Sequence, residues 1–426
     1  MGNWPAKRPK GGIAMRNLFK IAIRNLLRYK RRTLLTASLI TIGVVFVLGY
    51  ISIAGSFKNM MIAQITDSSL GHMQVHRKGY MAAVESLPLT MNLRPRPYKI
   101  LEDVLNGLPE VEAYSPRIRF GGMFSTFVET TSIRLNGVNP DNEFRTVPLL
   151  PSRIINGEKH LNKGEILVPE LLSMGMGVKP GDTVVIVTTN KDGSVNGKQF
   201  KVSGILESAQ GPGGRDGYVN IEDAKEILRM EDVEVSEVAI RVKDFSGVNA
   251  FTEKLEGLLG KELNQKGKPI FEVHTWEKLS PFYNIARMID VMSIFVKVML
   301  VAVVLISIMN VMIMAVYERV REIGTIAAIG TLPKKILSMF VIEGFSLGAL
   351  GVIIGNFIGL ILILILNLSG ITFNFGRQKG LILRATINPI DVLIVSVIVI
   401  LISVLASLQP AWKASRMEPI KALRHV

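Results

Sequence analysis

The sequence predicts a membrane protein, with four transmembrane α-helices and a large extracytoplasmic α+β domain inserted between the first and second. Three observations carry this. Four long stretches are apolar and free of charge. One segment of well over 200 residues with soluble composition separates the first stretch from the second. The formal net charge of +15 over 426 residues lies in short segments flanking the apolar ones.

The first uncharged run, residues 33–57, has 25 residues. At ~1.5 Å per residue it makes roughly 37 Å of helix, longer than the ~30 Å hydrocarbon core. The second, 298–317, has 20 residues and begins as helix near Arg287. The third, 344–376, has 33, of which 369–376 reads as loop, and the fourth, 392–412, has 21. A buried soluble helix rarely runs this far without charge. Ser52-Ile53-Ala54 resembles a signal-peptide cleavage site, but its apolar stretch of 22 residues exceeds the ~7–15 of such a signal. The first run therefore reads as a retained span, with translation starting at Met1 or Met15.

Charge then orients the chain. Residues 1–57 carry ten Lys/Arg and no Asp/Glu, 318–335 carry four against two, and 413–426 four against one. The insert 58–286 carries 27 against 29. Basic residues collect on the cytosolic side of membrane proteins, so both termini and the 318–335 connection are expected in the cytosol and the insert outside. The outer connection 376–391, with three basic residues, runs against this trend. The resulting division is a cytosolic basic amphipathic segment (1–32), first span and stalk (33–65), outer domain (66–280), and stalk with second span (281–317). A cytosolic coupling helix (318–335), third span (336–368), outer loop (369–390), fourth span (391–412) and cytosolic tail (413–426) complete it. A sequence pI near 9.8 suggests nucleic-acid binding, but the only large soluble segment is nearly neutral, so no basic groove is expected. Zero cysteine excludes disulfide scaffolds, thiolate zinc sites, cysteine nucleophiles and a lipidated N-terminal cysteine.

In the insert, residues 100–108 have helical spacing, 111–115 alternate, and 131–138 read as a strand. After Gly164-Glu-Ile-Leu-Val-Pro, a short helical stretch runs to Met176. Residues 183–189 and 199–204 bracket the turn Asn190-Lys-Asp-Gly as a hairpin. Helices are expected at 221–230 and 248–260, with a strand at 237–242. Strands and helices without a strict βαβ rhythm predict an α+β domain, in two lobes. His72 and His76 share a face, but no further ligand cluster accompanies them, so packing roles are expected and no metal. The run from Gly211 to Gly217 lacks the Gly-Lys-Ser/Thr ending of a phosphate loop and reads as a flexible surface loop. No catalytic constellation emerges.

The most informative stretch is Tyr317-Glu-Arg-Val-Arg-Glu-Ile-Gly-Thr-Ile-Ala-Ala-Ile-Gly-Thr-Leu-Pro-Lys-Lys. Charges open it, a small apolar face of Ile323, Ile326, Ala327 and Ile329 follows, and Gly330 and Pro333 end the helix. A short amphipathic helix of this kind docks into a groove on another protein, or caps a span at the membrane interface. Residues 317–360 as a whole, and the tail Gln409-Pro-Ala-Trp-Lys-Ala-Ser-Arg-Met-Glu-Pro-Ile-Lys-Ala-Leu-Arg, resemble the FtsX-like permease family of ABC transporters. The basic opening at 17–32, the first span and Gly71-His-Met-Gln-Val-His are similar to its lipoprotein-releasing LolC/LolE branch.

The resemblance implies a type VII, mechanotransmitting ABC permease in the bacterial inner membrane. It implies a cytosolic ABC ATPase dimer as partner, a second permease subunit (identical or homologous), membrane lipid around the spans, and a lipoprotein substrate passed to a periplasmic carrier. ATP and Mg belong to the ATPase, because this chain has no GxxxxGK[ST] and binds no cofactor by that motif. Glu318, Arg319, Arg321, Glu322, Gly324 and Gly330 match the ATPase-coupling positions, with the glycines allowing close backbone approach. A lipoprotein extractor needs an apolar cavity between the first two spans, for which Val45, Leu48, Ile53, Ile289, Met292 and Val296 are candidates. Amphiphile or drug efflux with an adaptor, and an FtsX-like activator of a cell-wall hydrolase, are the alternatives. Gly344, Gly348, Gly351, Gly355 and Gly359 form a stripe of small residues suited to helix packing, within one subunit or between two. Glu343 is expected to snorkel toward Lys334 or Lys335, and Asp290 and Lys297 to lie on the outward extension of the second span.

Overall fold

The computed structural model describes residues 28–207, 216–375, 378–382 and 384–418, with Lys20 and Arg24. The expectations for the basic opening before residue 28, the Met1 or Met15 start, the tail beyond 418 and residues 211–215 of the glycine-rich run lie outside the described residues. The chain forms two compact units, one of residues 1–58, 287–371 and 382–426, the other of 59–286 and 372–381.

Among the described residues four helices are long and apolar enough to cross a membrane. The first, Lys30–Ile65, runs on into a π-helical turn at Thr66–Leu70. The others are Tyr283–Glu318, Pro333–Leu368 and Pro389–Ser415. Pro333 and Pro389 stand in first turns, where a missing N–H costs nothing. The Asn388 side chain accepts the Ile390 N–H at 3.0 Å and caps the fourth. The third span ends at Leu368, and 372–375 is a strand facing a second at 378–382, where a loop was expected from 369 to 376.

The glycine stripe packs inside the chain. A Cβ on Gly344 would stand 2.5 Å from Ser407 Cβ, and one on Gly348 would run into Ser403, so these two admit the fourth span. A Cβ on Gly351 would stand 2.5 Å from Ile40 Cγ2, on Gly355 2.8 Å from Val44 Cβ, and on Gly359 3.3 Å from Leu48 Cδ1. These three admit the first span. The stripe thus seats one helix on each side.

At the far end of the same unit, side chains hold the segment leading into the fourth span. Ser52 Oγ donates to the Thr386 carbonyl at 2.6 Å, and Ser56 Oγ accepts the Thr386 N–H at 2.7 Å. Asn367 exchanges two hydrogen bonds with the backbone of Ala385, at 2.8 and 2.9 Å. Backbone polar groups without sheet or helix partners are thereby satisfied. Lys58 Nζ lies 2.6 Å from Asp290 Oδ1, an ion pair joining the first two long helices.

The outer unit is built on one mixed sheet. Its strands are β1 (Met73–Arg77), β2 (Val111–Ser125), β3 (Thr130–Val138), β4 (Ile154–Gly157) and β5 (Glu165–Pro169). They continue as β6 (Thr183–Thr189), β7 (Val195–Leu206), β8 (Asp216–Asn220), β9 (Glu237–Val242) and β10 (Phe271–Thr275). The order is β10-β1-β9-β2-β3-β8-β5-β7-β4, with β6 bridging β2 and β7. Strands β10, β1, β9 and β2 pair antiparallel throughout and, with α1 (Pro95–Asn106) and a helix at Val248–Leu259, form a split βαββαβ lobe. Alternation along β1 and β9 sends Met73, Val75, Val238 and Ile240 to the core they share with Leu101, Leu105, Phe251 and Leu255.

Strands β3 to β8 are an insertion between β2 and β9, with a separate core that includes Phe120, Phe124, Ile186 and Phe200. The 15-residue β2 belongs to both lobes: its first half pairs with β9 and its second with β3. Asp216 and Gly217, read from sequence as loop, begin β8, which pairs parallel with β3. The helix expected over 221–230 stops at Ile227, and Arg229 takes a positive φ of 50°.

Candidate functional site

The second span ends at Glu318 and a short helix, Val320–Ala328, follows directly. The break falls on Arg319, which leaves helical geometry at φ −111°, ψ 18° and caps the new helix as its carbonyl accepts the Ile323 N–H at 2.9 Å. Gly330 closes the helix with φ 92°: the Thr331 N–H reaches Ile326 O at 3.2 Å and the Gly330 N–H reaches Ala327 O at 3.0 Å, a Schellman end. Among the described residues nothing stands within 4 Å of a Cβ placed on Gly330, so its demand within this chain is conformational.

Of the predicted coupling residues, Glu318, Arg321, Glu322 and Gly330 are exposed, and Arg319 and Gly324 are buried; their apolar neighbours divide likewise. Ile323 and Gly324 are buried against the spans. Arg321, Glu322, Ile326, Ile329 and Leu332 are exposed, Ile329 at 80%. An apolar strip rimmed by an arginine and a glutamate is thus presented outward. Arg319 is the exception: it is 3% exposed and turned inward.

Arg319 Nη1 donates to Glu343 Oε2 at 3.2 Å, and its guanidinium lies 4.8 Å from the Tyr29 ring centroid. Glu343 is 1% exposed, and its other oxygen lies 3.8 Å from Arg32 Nη2. Arg32 also donates to Glu318 at 2.7 Å and faces the same Tyr29 ring at 5.2 Å. Arg28 reaches Glu322 at 3.5 Å. Glu343 therefore pairs with Arg319 and Arg32, and the expected snorkelling to Lys334 or Lys335 is corrected. Two arginines already neutralise it where it is buried, which leaves nothing for a surface lysine to supply.

The candidate cavity residues differ in exposure. Leu48 is buried against Gly359. Val45 is half-buried, Val296 packs on the core of the spans, and Ile289 is half-buried. Ile53 and Met292 are exposed, at 38% and 50%. On the same helices Gly43 faces Leu300, where an added Cβ would stand 2.8 Å from Leu300 Cδ1.

In the outer unit the two histidines are buried separately. His72 Nδ1 accepts the Val242 N–H at 3.2 Å and Nε2 lies 3.6 Å from Asp67. His76 is fully buried, stacked on Tyr80 at 5.4 Å, with Nε2 3.8 Å from Glu237. Among the described residues no group of three or more His, Cys, Asp or Glu is arranged to hold a metal ion. Sequence reasoning missed the feature around Glu237. Arg117, at the crossover point of β2, donates twice to Glu143, at 2.7 and 3.0 Å, and once to Glu237 at 2.9 Å. Arg119 adds a 3.2 Å bond to Glu237. Burial alone would raise the Glu237 carboxyl; Arg119, the His76 contact and Arg117 outweigh it and hold the group well below the usual carboxylate range. Burial pushes Tyr80 up to about 12, with Glu237 adding to it. The hairpin joining β2 and β3 exposes Phe127, at positive φ, and Val128, 91% exposed, at its tip.

Residues 33–258 match the family model of the MacB-like periplasmic core domain, and residues 294–419 that of the FtsX-like permease C-terminal region. The lipoprotein-releasing system transmembrane protein LolC of Xylella fastidiosa is 25% identical over 308 residues, covering 68% of this chain and 72% of its own length. The macrolide export ATP-binding/permease protein MacB 2 of Aeromonas hydrophila is 24% identical over 423 residues, 96% of this chain and 60% of the relative. The periplasmic region of MacB from Actinobacillus actinomycetemcomitans, a solved structure, aligns at 15% identity with a TM-score of 0.34, over 49% of this chain and 92% of that one.

Proposed function

Because the chain belongs to the MacB/LolC/FtsX-like family of ABC transporter permeases, we propose that it is the permease subunit of a mechanotransmitting transporter that extracts lipoproteins from the inner membrane for a periplasmic carrier. A separate cytosolic ABC ATPase dimer hydrolyses ATP, and a second permease subunit completes the complex. The termini lie in the cytosol and the outer domain in the periplasm. The observation that carries this reading is the short helix Val320–Ala328, seated on the spans by Ile323 and offering Arg321, Glu322, Ile326 and Ile329 outward. Such a face fits a groove on a protein partner, and force applied to it passes directly into the second span. The lipoprotein load follows the name of the LolC relative, to which this chain aligns over most of both lengths.

Amphiphile export with an adaptor is the second reading, favoured by the MacB relative that aligns over 96% of this chain. Co-expression with the ATPase tests both. Arg321→Ala combined with Glu322→Ala is expected to abolish permease-stimulated ATP hydrolysis while membrane insertion persists. Unchanged stimulation rejects the coupling face. Acylated proteins recovered with the purified complex support extraction; recovery of a peptidoglycan hydrolase alone rejects it.

A further inference from the structure

We propose that Arg319, Glu343 and Arg32, with Tyr29, form a buried ionic pin that fixes the elbow between the second span and the coupling helix to the first and third spans. Arg319 is the residue at which the two helices break, so its side chain sets the direction of the turn. That side chain ends on Glu343 of the third span, at 3.2 Å. Glu343 faces Arg32 of the first span, which also holds Glu318, the last residue of the second. Tyr29 offers one ring to both guanidiniums. Three spans and the coupling helix therefore meet in one charge cluster.

The cluster is a poor choice for stability alone. Arg319 and Glu343 are almost fully buried, and a buried pair seldom outperforms apolar side chains of the same volume. Among the described residues, Arg32 Nε, Arg319 Nη2 and Glu343 Oε1 find no hydrogen-bond partner, which adds to its cost. What a charge pair supplies and an apolar contact does not is one directional register. Here the register ties the elbow to the first span, which carries the outer domain on its other end. Movement of the coupling helix then shifts the first span with the second. This consequence for transmission rests on the coupling role proposed above; the pin itself does not.

Because the chain has no cysteine, spin labels can be placed at Leu34→Cys on the first span and Ile329→Cys on the coupling helix, both exposed. In the full chain without ATPase, in liposomes, the pinned elbow gives one narrow interlabel distance by pulsed electron resonance. Glu343→Gln and Arg319→Gln are each expected to lose that single distance and give a broad distribution. Arg319→Lys and the exchanged pair Arg319→Glu with Glu343→Arg are expected to restore it. A narrow, unchanged distance in Arg319→Gln or Glu343→Gln overturns the pin, as does failure of both rescuing variants. With the ATPase added, the second label is moved off the coupling face to the exposed Phe357→Cys on the third span; Glu343→Gln is then expected to bind the ATPase as the unsubstituted chain does, yet lose the nucleotide-dependent shift of the Leu34→Cys label. A retained shift overturns the transmitting role. If the unsubstituted chain itself does not bind the ATPase, the coupling reading fails while the liposome measurement still decides the pin.

Discussion

Replacing Arg117 with alanine is expected to destabilise the outer domain by about 3–5 kcal/mol, the cost of removing one partner from a buried ion cluster. Glu143 and Glu237 are 0% and 2% exposed, and both lose hydrogen bonds to the missing guanidinium. Arg119 still reaches Glu237, whereas among the described residues no other arginine or lysine pairs with Glu143. The site joins the two lobes: Arg117 pairs across the sheet with Glu237 of β9 and with Val138 of β3. Both lobes should therefore become protease-sensitive together, which pulse proteolysis in a urea series on the full chain would read. Separate midpoints for cleavage in 73–110 and in 154–206 would contradict this. The same cluster sets an acid limit. Glu237, held below its ordinary value, contributes stability that is complete above about pH 4.5 and lost as pH falls through its lower folded value. Asp216, whose carboxyl burial raises despite Arg119 and Arg134, acts in the opposite sense and blunts the slope. Glu237→Gln should flatten the acid limb of stability against pH; an unchanged limb would place the acid sensitivity elsewhere.

Replacing Gly355 with leucine is expected to cost about 3 kcal/mol, the upper part of the range for overpacking a filled interior. The first added carbon already stands 2.8 Å from Val44 Cβ and 3.3 Å from the Thr41 carbonyl, and backbone cannot give way as a flexible side chain can. The first and third spans must separate to admit it. Gly49 is the internal comparison, because a Cβ there meets nothing within 4 Å. Gly49→Ala should be neutral or stabilising by up to about 1 kcal/mol through helix propensity. The measurement is the thermal midpoint of the purified chain in detergent. Equal midpoints for Gly355→Leu and Gly49→Ala would show that the stripe is not an internal seam.

What could be read from the sequence follows how local each signal is. The spans are charge-free runs, and their helices overrun them, most at the start of the second (Tyr283 against 298) and of the third (Pro333 against 344), because charged ends remain helical after leaving the apolar region, as Lys30 and Glu318 do. Strands rich in β-branched residues, such as β9 and β6, were equally legible. Strand β8 was not, because Asp216-Gly217 sits at the end of a glycine-rich run whose composition outweighs a five-residue strand. The ion clusters were invisible for another reason: Arg117 and Glu237 are 120 residues apart, and Arg319 and Glu343 are 24 apart across a helix, a turn and a second helix. Glu318 and Arg319 look alike as neighbours in a charged motif. A break in the helix sends one to a half-exposed pair and the other into the interior.

The register of β1 against β10 has a consequence for how such a protein is assembled in evolution. Met73 pairs with Thr275, so the strand that opens the outer domain and the strand that closes it begin and end side by side. Strands β2 and β9, between which the second lobe is inserted, are likewise neighbours. Each insertion therefore leaves its host at two adjacent points, and loop-closure entropy penalises its length only slightly. A membrane permease of this design can exchange or enlarge these lobes by recombination at paired strand ends. The lobes are then free to diversify, while the long apolar helices keep their sequence constraints.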